Sequence, residues 1–175
     1  IICVDRVTAG AACTVLLARS LIDNQHPLMI ANCDQFIDIK IDDYIAAFDT
    51  KAIDGMIMTM RATDEKWSFV RLDHKRRVIE LREKQVISNE ATVGIYNFSK
   101  GSDFVSAADK MIAKNIRTNN EFYVAPVYNE MISNGKKINI FNIGELGNGM
   151  HGLGTPSDLI AFLKTATASR LSKNK

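Results

Sequence analysis

The order of apolar and polar residues in the first part of the chain predicts alternating strands and helices. Residues 1–7 predict a short strand, and Thr8 is placed to cap a following helix. The apolar residues of that helix recur at helical spacing: Cys13, Leu16, Leu17 and Leu21. The continuous apolar run at residues 28–31 predicts a strand that is buried on both faces. A helix at residues 42–48 and an apolar strand at residues 55–60 follow.

The pattern changes at residue 67. Residues 67–72 and 78–82 predict two strands that are joined by a turn at residues 73–76, which is a hairpin rather than a crossover. Residues 92–98 predict one more strand. The hairpin is therefore an insertion in an otherwise alternating order of elements.

Further helices and a strand complete the predicted order. Ser102 is placed to cap one helix, and Asn134-Gly135 ends the next. Their apolar residues recur at helical spacing: Phe104, Ala107, Ala108, Met111 and Ile112 in the first, and Val124, Val127, Tyr128, Met131 and Ile132 in the second. Residues 138–143 predict a strand, Thr155-Pro156 opens a last helix, and the polar tail at residues 169–175 is expected to fray.

This order of elements predicts one α/β domain over residues 1–168. We expect a three-layer α/β/α sandwich whose sheet is mixed but mostly parallel, with the hairpin inserted in it. In such a sheet, ligands bind beyond the carboxyl ends of the strands. Candidate functional residues are therefore those that directly follow each apolar run.

The composition and charge of the chain limit the kinds of partner that we expect it to bind. The chain has 175 residues, of which 46% are hydrophobic and 24% are charged, enough for one core. Its 22 basic and 20 acidic residues are mixed along the chain, which argues against a nucleic-acid partner. The basic run at residues 74–77 is interpreted as a solvated turn. No run approaches the roughly 18 apolar residues that cross a bilayer, so no membrane span is predicted.

Three cysteines, Cys3, Cys13 and Cys33, each lie in an apolar segment. This pattern predicts reduced, buried thiols and a reducing compartment such as the cytoplasm, rather than a disulfide framework or a zinc site. The sequence begins with Ile1 inside an apolar run, so we expect the gene product to begin further upstream. The sequence leaves a homo-oligomer open.

Asp34 is the first candidate for chemistry. It directly follows the strand predicted at residues 28–31, where a carboxylate would face the crevice that holds a nucleotide and a hard cation such as Mg²⁺. An aspartate that hydrogen-bonds its own turn is the structural alternative.

Other candidates are weaker when taken singly. Glu83-Lys84 ends the second hairpin strand and could receive a hydroxyl and a phosphate, although surface strands often carry such pairs. Gly10-Ala11-Ala12 could let a base or phosphate approach the backbone, or could serve close packing. Glu121 could bind a ligand or simply stabilise the first turn of a helix. No nucleophilic triad or zinc-ligand spacing stands out.

Six segments nevertheless occur in an order that is typical of one protein family. The early ones are Thr8-Ala9-Gly10-Ala11-Ala12 before a helix, the strand from Pro27 that ends in Asp34-Gln35, and Glu83-Lys84. The later ones are Val93-Gly94-Ile95-Tyr96, Asn120-Glu121-Phe122-Tyr123 and Gly152-Leu153-Gly154-Thr155-Pro156-Ser157-Asp158-Leu159. In this order they resemble the sugar-phosphate nucleotidyltransferase family, from residue 8 to about residue 163.

The resemblance implies a Rossmann-like α/β fold and a Mg²⁺-dependent reaction. In it, a phosphorylated acceptor such as a sugar 1-phosphate attacks the α-phosphorus of an NTP, and pyrophosphate leaves. It implies that Asp34 holds the metal and that Lys84 neutralises the attacking phosphate. Glu83 and Glu121 would accept hydrogen bonds from the hydroxyl groups of the acceptor.

The resemblance also assigns the residues around the base. Thr8, Gly10 and Ala11 would frame the nucleobase, and Gly94 would lie in the strand that lines the acceptor pocket. The partners it implies are therefore an NTP and a small phosphorylated acceptor, for nucleotide-sugar or polysaccharide biosynthesis.

Two departures from the family pattern matter. The family's glycine-rich loop, with its Arg and Lys, belongs before Ile1, so the sequence as it stands is expected to bind nucleotide poorly. The family's second metal ligand, an Asp or Asn, falls at Gly152 in this chain. Either Asp34 holds the metal together with phosphate oxygens and water, or another residue such as Asp38 substitutes.

Two other functions remain open at this stage. One is a glycosyltransferase that uses a nucleotide sugar, although those enzymes usually have Asp-x-Asp where this chain has Asp34-Gln35-Phe36. The other is a non-catalytic domain that only binds a nucleotide sugar.

Overall fold

The computed structural model describes residues 1–49 and 52–173. The strands are β1 Leu28–Ala31, β2 Gln35–Ile37, β3 Gly55–Arg61, β4 Phe69–Leu72, β5 Val78–Arg82, β6 Glu90–Phe98, β7 Ile138–Leu146 and β8 Gly149–Gly152. The helices are α1 Ala11–Leu16, α2 Arg19–Ile22, α3 Ile41–Ala47, α4 Gly101–Ala113, α5 Val127–Ser133, α6 Pro156–Leu163 and α7 Ala166–Ser172.

The strands form one mixed sheet in the order β2-β8-β7-β3-β6-β4-β5, and β1 pairs with β6 beside β4. Among the described strands, only the β3–β7 and β7–β8 pairs are parallel. The other pairs are antiparallel. Strand β6 runs against β1, β3 and β4, the β4–β5 hairpin extends the sheet from there, and β2 runs against β8. The predicted α/β fold with a mixed sheet is confirmed, but its parallel part is smaller than predicted.

The core lies on both faces of the sheet. Successive side chains of a strand point to opposite faces. Met56, Met58 and Met60 of β3 therefore join a cluster with Tyr44 of α3, whereas Ile57 joins a cluster with residues of α1, α4 and α5. Helices thus cover both faces of the central strand, which explains why its sequence is apolar at every position from 56 to 58.

The start of the chain differs from the prediction. Residues 1–7 form no strand, and their side chains are exposed. The first helix begins at Ala11 with Gly10 as its N-cap, and the Thr8 hydroxyl donates to the Gly10 carbonyl oxygen instead of capping the helix. The helix breaks after Leu16 and resumes as α2, so Leu17 and Leu21 are exposed.

Strand β1 is present but is not buried on both faces. Leu28 and Ile30 pack against the core, whereas Met29 is exposed. Only one face of this strand packs against the core, so its residues alternate between half-buried and exposed. The expectation that the cysteines are buried is also wrong, because Cys3 and Cys33 are exposed and Cys13 is half-buried; all three are free thiols.

The end of the described chain is more ordered than expected. Helix α6 begins after the N-cap Thr155, as predicted. A further helix, α7, includes residues 169–172 of the predicted tail, while residues 174 and 175 lie outside the described residues. Arg170 of α7 forms a 2.6 Å ion pair with Asp38. No helix in the described ranges is long and apolar enough to cross a membrane.

Candidate active site

Three recesses share lining residues, and we refer to them together as the groove. The central recess has a volume of about 220 Å³ and contains Glu83, Lys84 and Gly94. The Asp34 recess, of about 150 Å³, shares a wall with it that consists of Asn32, Lys66 and Trp67.

The groove continues on the other side of the central recess. The Glu121 recess, also of about 150 Å³, shares Glu83 and Tyr123 with the central recess. The Glu83-Lys84 pair in the central recess is therefore flanked by the Asp34 recess and by the Glu121 recess.

Glu83 lies on the floor of the central recess, directly after β5. The Ser68 hydroxyl at the start of β4 donates a hydrogen bond to its carboxylate. Burial raises the pKa of Glu83 above its ordinary value, while the hydrogen bond from Ser68 and the charge of Lys84 lower it in part. The carboxylate is thus held in one orientation and faces the recess as an acceptor.

Lys84 turns the chain away from the strand. Its backbone is left-handed, with a φ of 52°, and its N–H donates to the Trp67 carbonyl oxygen at 3.1 Å. Its Nζ donates to the Tyr123 hydroxyl at 3.2 Å, and this hydrogen bond raises the pKa of Lys84. The ammonium group is exposed and charged at neutral pH, so it can contact an anion in the central recess.

Gly94 and Asn32 fit together in the wall of the central recess. Gly94 has a φ of 75°, and a Cβ at this position would lie 2.6 Å from Asn32 Cγ. The Asn32 N–H donates to the Gly94 carbonyl oxygen at 2.9 Å. Glycine is required here by both the backbone conformation and the space that Asn32 fills.

Asp34 lies in the turn between β1 and β2 and is exposed. Its carbonyl oxygen accepts the Leu153 N–H at 2.8 Å, which fixes this turn against the loop between β8 and α6. A Cβ at Gly154 would lie 2.8 Å from Asp34 Oδ2, so the glycine leaves room for the carboxylate. Within the described ranges, Asp34 forms no ion pair.

The residues predicted to frame the base are only partly in the groove. Ala11 lines the central recess, whereas Thr8 and Gly10 do not line it. Gly10 is explained by packing, since a Cβ there would lie 2.6 Å from the backbone N of Phe122. The Ala12 N–H also donates to the Phe122 carbonyl oxygen at 2.9 Å, which holds α1 beside the groove.

The sequence suggested that Glu121 could lie in the first turn of a helix, but in the structure it lies before the helix. Helix α5 begins at Val127, and Glu121 forms an isolated antiparallel bridge with Thr118. Its side chain is exposed and lines the Glu121 recess instead of the central recess. The left-handed residues Asn119 and Asn120 just before it explain why the helix starts later.

Asp38, considered above as an alternative metal ligand, is engaged elsewhere. Its carboxylate accepts hydrogen bonds from Thr167 at 3.0 Å and from Arg170 at 2.6 Å. Desolvation, the largest single cause, raises the pKa of Asp38, but the two hydrogen bonds and the charge of Arg170 together lower it below its ordinary value. Asp38 is not among the residues that line the Asp34 recess.

The sequence analysis missed several residues of the groove. Asn32 follows β1 directly, so the rule that selected Asp34 could have selected it as well. Ser68 and Trp67 stand where the pattern changes to a hairpin, but nothing in their spacing indicated a contact with Glu83. Lys66, which lines both the central and the Asp34 recess, is indistinguishable in the sequence from a surface lysine.

Comparisons with known proteins agree with this geometry. The family model described as nucleotidyl transferase matches residues 2–160. No curated protein sequence is significantly similar to this chain. Among solved structures, the nucleoside-diphosphate-sugar pyrophosphorylase from Vibrio cholerae RC9 is 26% identical, with a TM-score of 0.76 over 93% of this chain.

Two further solved structures share the fold. One, from Bacillus anthracis, is described as a glucose-1-phosphate thymidylyltransferase in complex with sucrose; it is 17% identical over 89% of this chain, with a TM-score of 0.67. The other is the inositol-1-phosphate CTP transferase from T. maritima, 14% identical over 93% of this chain, with a TM-score of 0.61. This chain spans 68% of the V. cholerae chain and 61% of each of the other two.

Proposed function

The chain belongs to the nucleotidyl transferase family, and we propose that it transfers an NMP group from an NTP to a sugar 1-phosphate or a similar phosphorylated acceptor. A phosphate oxygen of the acceptor forms a bond to the α-phosphorus of the NTP. The bond from the α-phosphorus to its bridging oxygen breaks, and pyrophosphate leaves. The product would serve nucleotide-sugar or polysaccharide biosynthesis.

The observation that carries the proposal is that the central recess and the Asp34 recess share lining residues. The Glu83-Lys84 pair lies in a recess that shares Asn32, Lys66 and Trp67 with the recess of Asp34. A phosphorylated sugar beside the pair would therefore lie next to the phosphates of a nucleotide beside Asp34. Holding two reactants in contact is the main requirement of phosphoryl-group transfer.

The side chains of the groove then have separate roles. Lys84 neutralises the attacking phosphate, and Glu83 accepts hydrogen bonds from acceptor hydroxyl groups. Ala11 and Gly94 give the ligand close access to the backbone at the wall. Glu121 faces the end of an acceptor that extends into its recess. Such a site needs positioning and charge more than an activated nucleophile.

The Asp34 recess fits a hydrated Mg²⁺ ion that is shared with phosphates. Among the described residues, no three His, Cys, Asp or Glu side chains gather around one point. A site that relies on one or two carboxylates, water and phosphate oxygens is typical of Mg²⁺. The Gly154 position leaves space beside Asp34, and the buried Nε2 of Gln35, which also lines this recess, has no partner in the described ranges. When bound there, Mg²⁺ would offset the charge of the phosphates.

The reaction can be tested by measuring pyrophosphate. The full-length protein, mixed with Mg²⁺, each NTP in turn and a panel of sugar 1-phosphates and other phosphorylated alcohols, is expected to release pyrophosphate with at least one pair. Release should require both substrates and should stop when EDTA removes the metal. Acceptor and base would be identified by the pair that reacts.

Other results would exclude the proposal. Release of NDP from a nucleotide sugar, without pyrophosphate from any pair, would indicate a glycosyltransferase. Binding of a nucleotide sugar with no turnover in either assay would indicate a non-catalytic binding domain.

The activity is expected to fall at acidic pH through protonation of Glu83. Burial raises the pKa of this carboxyl group, so it takes up a proton at a higher pH than an ordinary glutamate does. The neutral group then accepts hydrogen bonds less well. The measurement is the pH profile of kcat/KM. In the Ser68→Ala variant, the acid limb should move to higher pH, because the hydrogen bond from Ser68 favours the charged form.

Two variants test this assignment. Glu83→Gln should remove the acid limb, and Asp42→Asn, which changes an exposed carboxylate on α3, should leave it in place. An acid limb that is unchanged in Glu83→Gln would show that another group sets it.

A further inference from the structure

We propose that Asp158 supplies a second carboxylate for the divalent cation of the Asp34 recess. This inference rests on the proposed function, and it concerns a residue to which the family pattern quoted above gives no metal role. The family pattern has an Asp or Asn as second metal ligand at the position of Gly152, and Asp158 would take over that role in this chain.

The first argument is position. Asp158 is half-buried near the start of α6 and lines the Asp34 recess together with Asp34. The two carboxylates come from distant parts of the chain, which the hydrogen bond between the Leu153 N–H and the Asp34 carbonyl oxygen holds together at 2.8 Å. Carboxylate oxygens are the ligands that a hard cation prefers.

The second argument is the space around the two glycines of the loop. A Cβ at Gly152 would lie 3.7 Å from Asp158 Cγ, and a Cβ at Gly154 would lie 2.8 Å from Asp34 Oδ2. The carboxylate of Asp158 therefore reaches the space beside position 152 from the next helix. Asp158 could therefore supply the carboxylate that Gly152 cannot.

The third argument concerns the contacts of Asp158. Its backbone N–H donates to the Thr155 hydroxyl oxygen at 3.2 Å, which is the capping contact of α6. The Thr155 hydroxyl donates to Asp158 Oδ2 at 2.7 Å and orients the carboxylate. The cap uses the backbone of Asp158, so its carboxylate remains available to a cation. A hydrogen bond that orients a ligand in this way is common around metal ions.

The fourth argument is an unpaired hydrogen-bond donor, Gln35 Nε2, on a residue that lines the same recess. Gln35 Nε2 is buried and finds no hydrogen-bond partner among the described residues. A phosphate oxygen or a water molecule on a hydrated cation would satisfy this donor.

The test is the binding of Mn²⁺ alone, measured by the loss of the free Mn²⁺ EPR signal on titration of the protein. Asp158→Asn and Asp34→Asn are each expected to weaken binding by about tenfold or more. Because the two groups would hold one ion, the double variant should bind little more weakly than the worse single variant. Asp64→Asn removes an exposed charge near the groove, next to Lys66, and should bind as the wild type does.

The outcomes separate this inference from the proposed function. Binding by Asp158→Asn that equals the wild type, or effects of the two substitutions that simply add, would overturn the role of Asp158 and leave the nucleotidyl transfer untouched. Thermal unfolding of each variant checks that α6 is still folded. If Mn²⁺ binding depends on both aspartates but no substrate pair releases pyrophosphate, the metal site stands and the proposed function fails.

Discussion

Asp34→Ala is expected to abolish metal-dependent turnover of the full-length protein. The carboxylate lies at the exposed tip of the β1–β2 turn, and we propose that it holds the cation that offsets phosphate charge. Loss of several kcal/mol of such stabilisation corresponds to a decrease in kcat of about a thousandfold or more. The measurement is pyrophosphate release as a function of Mg²⁺ concentration.

The matched control is Asp42→Ala, which removes an exposed aspartate on α3 outside the groove. It should retain the activity and the Mg²⁺ dependence of the wild type. Because the side chain of Asp34 is exposed, its removal should change the melting temperature little, so a loss of activity cannot be assigned to unfolding. Wild-type turnover by Asp34→Ala would remove this residue from the metal site.

Lys84→Met is expected to lower kcat/KM by about a hundredfold to a thousandfold, the range found when one group that stabilises transition-state charge is removed. The ammonium group faces the central recess, and its hydrogen bond to Tyr123 places it there. Methionine keeps much of the length of the side chain but has no charge. Steady-state kinetics with the acceptor as the varied substrate would measure the loss.

Two more variants test whether the effect comes from the charge of Lys84 or from the position of its side chain. Lys75→Met changes an exposed lysine in the β4–β5 turn and should have no effect on turnover. Tyr123→Phe keeps the charge of Lys84 but removes its hydrogen-bond partner, so its effect should be smaller than that of Lys84→Met. A loss in Lys84→Met no larger than in Lys75→Met would exclude Lys84 from the reaction.

The sequence predicted best where packing alone decides the structure. Helices α4 and α5 were predicted because their apolar residues recur at helical spacing, and β3 was predicted because its apolar run is continuous. Strands β2 and β8 were missed, since β2 has only three residues and two of the four residues of β8 are glycines. The expected strand at residues 1–7 failed because an apolar run forms a strand only when a neighbouring strand pairs with it.

The candidate site was predicted only in part, for a related reason. Asp34, Glu83 and Lys84 stand at the ends of strands, which the sequence reveals. Their surroundings depend on contacts between residues far apart in the chain, such as Ser68 with Glu83 and Asn32 with Gly94. No local pattern encodes these contacts. The same holds for Asp158, which the sequence analysis noted only as part of the family-like segment at residues 152–159.

The fit of Asn32 against Gly94 limits how the groove can change its selectivity. A side chain at position 94 would collide with that of Asn32, and the backbone at 94 also disfavours one. A larger side chain at this point would therefore need a second substitution at position 32 to make room for it. Variation in ligand choice among descendants of this chain should arise more easily at Lys66, whose exposed side chain can be replaced without disturbing the core.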